Sequence, residues 1–122
     1  MKQDRFQDLI GSIESASKLD IDLAAAALAG LRTALPEASS DLRPSVIDST
    51  DAALDLVART LPGWLITLDG NAGEPGHWSC TLRQSGVRDD DEVIGTGRAP
   101  TSALALVSAL IRVSVARKMG YD

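Results

Sequence analysis

Few side chains in this chain are of the kind that perform chemistry, and their spacing decides which chemistry is open to them. His77 is the only histidine and Cys80 the only cysteine. Together they would supply two metal ligands or a thiolate with its base. Three positions apart on one strand, however, they point to opposite faces, and Cys80 then reads as a small buried hydrophobe. The acidic run Asp89-Asp90-Asp91-Glu92 has the charge to attract Ca²⁺ but lacks the spaced ligands and internal glycine of a calcium loop, so it reads as a solvated turn. Gly95-Thr96-Gly97, just ahead of a helix, would offer backbone N–H groups to an anion, yet Gly-x-Gly alone is a weak signal and a bulge or turn accounts for it. The serines are plentiful, and none stands in a nucleophile-elbow pattern beside a base. An enzyme needs a nucleophile or base, an orienting partner and a stabiliser of developing charge, and no such set is visible. The expectation is a protein that is not an enzyme, with no cofactor and no metal.

The elements that must position these residues follow from periodicity. Phe6, Leu9, Ile10 and Ile13 fall at helical spacing. Asp20 or Asp22 caps a second helix through Leu35, with Ala24, Leu28, Leu31 and Leu35 in a stripe and Ala27, Gly30 and Ala34 allowing close approach. The polar segment from Glu37 to Pro44 then reads as a connection. Ser49 or Thr50 caps a third helix whose apolar face is Leu54, Val57, Ala58 and Leu61, stopped by Pro62-Gly63. Alternation in Trp64 to Asp69 and again in His77 to Arg83 predicts two strands. A third strand runs from Glu92 to Gly97. Arg98-Ala99-Pro100-Thr101 then punctuates the chain before an apolar helix from Ser102 to Lys118. The expected class is α+β: an N-terminal helical pair over residues 1–36, then an α-β-β-β-α core over 45–120, in one domain of 122 residues. Both core helices are expected on the Trp64/Trp78 face of the sheet. The other face, carrying His77, Ser79, Thr81 and Arg83, is either wet or covered by the N-terminal helices.

Composition narrows the function classes. Twelve basic against 17 acidic residues give a net charge of −5, which disfavours nucleic-acid and anionic-membrane binding, since both depend on Lys and Arg meeting phosphates. The single cysteine excludes an internal disulfide, and no signal-peptide stretch follows Met1-Lys2-Gln3-Asp4-Arg5; the expectation is a cytoplasmic protein with no membrane association. The longest apolar run, Ala103 to Ala116, is too short to span a bilayer and reads as a core helix.

Several segments in order resemble a known group: Leu9-Ile10-x-x-Ile13-Glu14-x-Ala16, an Asp-capped Ala-rich helix, Pro44-Ser45-x-Ile47-Asp48-x-x-Asp51-Ala52-Ala53-Leu54, Pro62-Gly63-Trp64, and Gly97-Arg98-Ala99-Pro100-Thr101 before Ala103-Leu104-Ala105-Leu106. They are similar to small proteins of alphaproteobacterial phages and prophages grouped with the phage alpha-beta-alpha sandwich domain. That resemblance implies a phage-type protein and, because such proteins generally lack an assigned activity, no catalytic residue. The order helix, three strands, helix also resembles the double-stranded RNA-binding domain, with Glu74-Pro75-Gly76-His77 where that family has a Gly-Pro-x-His loop. That family's phosphate-reaching lysines would fall at Ala99-Pro100-Thr101-Ser102-Ala103, where this chain has none. Asp89 to Glu92, near the same end of the sheet, would repel a phosphate backbone.

The expected role is therefore a phage or prophage accessory protein that binds a host protein, one version being an acidic, anti-CRISPR-like inhibitor of a host defence or nucleic-acid enzyme. Alternatives are a structural or self-assembling phage protein, with a homodimer as its simplest form, and a divergent nucleic-acid module. The candidate protein-binding surface combines Asp89, Asp90, Asp91 and Glu92 with His77, Ser79, Thr81 and Arg83, while Trp64 and Trp78 are expected in the core.

Overall fold

The computed structural model describes residues 2–16, 20–35, 42–70, 78–83 and 94–120. The elements are α1 (Lys2–Ser15), α2 (Ile21–Ala34), α3 (Ser45–Asp48), α4 (Thr50–Thr60), β1 (Leu65–Asp69), β2 (Trp78–Arg83), β3 (Ile94–Ala99) and α5 (Ser102–Gly120). The class is α+β, and the order α-β-β-β-α stands after an N-terminal pair.

Local chemistry sets most boundaries. Asp20 accepts a hydrogen bond from the Leu23 N–H at 2.8 Å and so caps α2. Ser49 caps α4 through the Ala52 N–H, leaving the Thr50 hydroxyl to pair with that of Ser102 and tie the starts of α4 and α5 together. Gly63, at φ 83°, takes the left-handed conformation that turns the chain out of α4 into β1, a region β-carbons disfavour. Thr101 accepts from the Leu104 N–H at 3.1 Å and caps α5.

α5 explains the arrangement of everything else. Residues 103 to 111 are all buried, as are Val113 and Ser114, so over this stretch the helix is covered on every side. On one side lies the sheet, of order β1-β2-β3 and antiparallel throughout. On the others pack α1, α2, α3 and α4. The layers run sheet, α5, then the remaining helices, with one continuous core from Ile10 to Val113.

The contact between α5 and β3 is unusually close. A β-carbon placed on Gly97 would lie 2.5 Å from the Ala105 carbonyl oxygen and 2.6 Å from the Ala109 nitrogen, and one on Gly95 would run into the Val113 side chain. Facing these glycines, α5 presents Ala105, Ser108 and Ala109, so helix backbone rests almost directly on strand backbone. Ser108 is fully buried here, and its hydroxyl has no hydrogen-bond partner. It is present for its size.

Four expectations change. The third strand does not stop at Gly97 but continues through Arg98 and Ala99, because pairing of Ser79 with Arg98 and Trp78 with Ala99 keeps both in the ladder. Gly95-Thr96-Gly97 is neither bulge nor turn: each residue pairs one-to-one with Leu82, Thr81 and Cys80, and the glycines serve the approach of α5. A short helix, α3, lies ahead of α4 where no helix was expected. The buried face of α4 is Ala53, Leu56 and Val57, with Ala58 exposed, because α4 is gripped between α3 and α5. α4 lies on the same side of the sheet as α5 but reaches it chiefly through α5.

Two substitutions test this packing. Gly97→Val forces backbone from backbone and is expected to cost about 3 kcal/mol, the upper end for overpacking. Ser108→Ala removes a buried hydroxyl without a partner and is expected to be neutral or to raise stability by about 1 kcal/mol. Chemical denaturation of both variants against the wild type measures the two shifts; a tolerated Gly97→Val would contradict the close approach.

Candidate functional site

The described helices pack on α5, and polar side chains gather on the opposite face of the sheet. Residues directly across antiparallel strands share a face, so the register defines rows. Thr67 pairs with Thr81 and Thr81 with Thr96, placing three threonines in line across the sheet. Beside them, Asp69, Ser79 and Arg98 form a second row, and Leu65 stands next to Arg83 in a third. Alternation in burial confirms the assignment. Cys80, Leu82, Gly95, Gly97 and Ala99 are buried, while Arg83, Thr96 and Arg98 are exposed. Ser79 and Thr81, flanked by strands on both sides, are half-buried.

Three of the eight candidate surface residues, Ser79, Thr81 and Arg83, are thus brought together on one open face. His77 and the run Asp89, Asp90, Asp91 and Glu92 lie outside the described residues. Five further members of the face, Leu65, Thr67, Asp69, Thr96 and Arg98, were not singled out from the sequence. Their signal was available in the alternation of each strand, but which strands are neighbours, and in what register, is what joins them. Nor do the N-terminal helices cover this face. α1 and α2 pack on α5 instead, and α1 meets the sheet chiefly along β3.

The face is held from behind. Arg112 of α5 donates to the Thr96 carbonyl oxygen at 2.8 Å and to its Oγ1 at 3.3 Å, and Glu14 of α1 holds the same guanidinium at 3.2 Å. One cation therefore links α1, α5 and β3. Trp64 and Trp78, expected in the core, are half-buried and pack against it. Cys80 is buried in the sheet's inner face, where loss of hydration pushes its thiol up from 9.0 to about 12. At that value it holds its proton at neutral pH and is a poor nucleophile.

The described residues form two concavities of note. A groove of about 450 Å³ lies between α1 and α2, lined by Phe6, Leu9, Ala26, Ala29 and Gly30 with Asp8 at its margin. A more polar hollow of about 310 Å³ lies against α3 and α4 between Arg43 and Arg59, where the Arg59 guanidinium is held by the Asp55 carboxylate, its Nε at 2.9 Å. Neither brings a nucleophile, a base and an anion-stabilising group together. Among the described residues no three His, Cys, Asp or Glu side chains are grouped to hold a metal ion, and no helix is long and apolar enough to cross a membrane.

Known proteins offer no guide here. No protein family, no curated protein and no solved structure matches this chain.

The state of Cys80 is directly measurable. At pH 8 a thiol reagent is expected to label native protein only at the rate of unfolding, and denatured protein at once. Because the thiol is harder to ionise folded than unfolded, its contribution to stability is intact below pH 9 and is lost progressively as pH rises from 9.0 toward about 12. Cys80→Ser should retain other high-pH losses but not this one, and fast native labelling at pH 8 would contradict the burial.

Proposed function

We propose that this chain is a non-enzymatic binding protein that presents the open face of its sheet to another protein. The observation that carries the proposal is the face itself: the Thr67-Thr81-Thr96 row, flanked by Asp69-Ser79-Arg98 on one side and by Leu65 and Arg83 on the other. It offers hydroxyl donors and acceptors, both signs of charge and an exposed leucine on rigid strands backed by a buried helix. Such a mixture suits a protein surface better than a phosphate backbone, which would call for clustered cations. Arginine is also the charged residue most often enriched at the energetic centre of interfaces, and the face has two.

The partner class we favour is a host protein, with the chain acting as a phage or prophage accessory protein. Inhibition of a host defence or nucleic-acid enzyme is the version that the acidic charge of −5 supports, because a target built to grip nucleic acid presents a basic surface. The described layers run sheet, helix, helices rather than helix, sheet, helix, so the proposal rests on the face and the charge and not on a sandwich architecture. Self-association is the second reading, and the state of the β1 edge favours it.

The test is capture from a bacterial lysate at low and high salt by three proteins: wild type, Thr81→Glu with Arg98→Glu, and a variant with Asp89, Asp90, Asp91 and Glu92 changed to Ser. A partner whose affinity falls at least about tenfold, or 1.4 kcal/mol, in the face variant supports the open face. Loss only in the acidic-run variant moves the site to that segment. Circular dichroism of each variant separates lost binding from lost folding, and a wild type that captures nothing at either salt counts against the proposal.

A further inference from the structure

The two edges of the sheet are built differently. At β3, Arg112 reaches the edge strand and occupies the Thr96 carbonyl, with α1 packed beside it. At β1, no described element pairs with the outer edge. Four of its five residues are exposed, among them two large hydrophobics, Leu65 at 58% and Ile66 at 36%. Natural edge strands are usually blunted by lysine, proline, a bulge or inward-pointing charge. Leu65-Ile66-Thr67-Leu68-Asp69 has none of these, and it pairs with β2 over five consecutive residues without a bulge.

We propose that the β1 edge is the docking site for a second copy of this chain, paired antiparallel about a two-fold axis through Thr67 to form one six-stranded sheet. The strand's own pattern selects that occupant, since a two-fold contact must be complementary to itself. In this register Thr67 faces its own mate, Ile66 faces Leu68 and Leu65 faces Asp69. Ile66 and Leu68 lie on the α5 side in both copies, so each under-covered Ile66 gains an apolar neighbour. Charge agrees with the register. The partner's Asp69 enters the row of Leu65 and Arg83, which sets no like charge beside it. The two Asp69 carboxylates stay about 13 Å apart along the strands, four residues at about 3.3 Å each and beyond the screening length at physiological salt. Registers centred on Asp69 would set like charges face to face, and a slip of one residue would reverse which side chains meet the core side. The open face then doubles in width, although this dimer does not depend on what that face binds.

Sedimentation over a range of concentrations tests the association, and cysteine pairing tests the register. Wild type is expected to be a dimer. Thr67→Lys, which sets two ammonium groups at the axis, is expected to weaken it at least about tenfold, while Thr33→Lys on exposed α2 leaves it unchanged. Mild oxidation should cross-link Thr67→Cys to its own mate. It should not link Leu65→Cys to itself, since those Cα atoms would be about 13 Å apart and beyond disulfide reach, but a mixture of Leu65→Cys with Asp69→Cys should link. Cys80 is buried and does not compete. Circular dichroism confirms that each variant is folded. A wild type that stays monomeric at millimolar concentration overturns the proposal. So does cross-linking of Leu65→Cys as readily as Thr67→Cys, or a monomer that captures a foreign protein through this edge.

Discussion

The structure depends on one constraint: from Ala103 to Ile111 α5 is buried at every position and must be covered on every side. A helix with a single apolar stripe is satisfied by one neighbour, whereas this stretch must meet neighbours in every direction, solvent being reached farther along at Arg112. Burying a leucine, isoleucine or valine side chain is worth about 1.5–3 kcal/mol, and α5 carries Leu104, Leu106, Val107, Leu110, Ile111 and Val113 at or near zero exposure. The sheet takes one side of it and the other helices take the rest. Because every described helix is recruited to α5, none of them covers the far side of the sheet, and the open face follows from that allocation.

Coverage alone would not bring the sheet so close. Glycine is a poor strand residue, and β3 carries two of them in six positions. They are tolerated because a helix surface of Ala105, Ser108 and Ala109 drops into the space they leave, exchanging strand propensity for dense contact between backbones. The same economy of side chain explains a buried serine without a partner, since a larger residue at Ser108 would hold the helix off the strand. Arg112 completes the arrangement from the edge, its aliphatic stem leaving the helix and its guanidinium engaging Thr96 and Glu14.

The molecule thereby separates scaffold from surface. The buried thiol and the small-residue seam belong to stability, while the threonine rows, two exposed arginines and an unguarded edge belong to the outside. Rigid strands in regular register hold hydroxyl groups at fixed spacing, which is the form of surface that recognition of another folded chain requires. Nothing in the packing of α5 needs Thr67 or Thr81 to be polar, or the outer edge of β1 to be unblunted.

Most of the element types were legible in the sequence because they rest on local rules: a cap at Asp20 or Asp22 and at Ser49 or Thr50, a stop at Pro62-Gly63, and the alternation that marks β1 and β2. The α+β class and the deep burial of the last helix were legible for the same reason, one following from element order and the other from an apolar stretch too wide for a single face. The placement of Ser79, Thr81 and Arg83 on one face also needed only the two-residue period of a strand. What local rules could not supply was anything that depends on a neighbour. Gly95 and Gly97 looked like a bulge because only the approach of α5 gives them another purpose. Ala58 looked buried because which side of α4 meets α3 and α5 is not encoded in its own stripe. Thr67, Thr81 and Thr96, distant along the chain, became a row only when strand pairing set them opposite one another, and the contrast between a guarded β3 edge and an open β1 edge exists only once tertiary contacts have decided which strands lie at the margins.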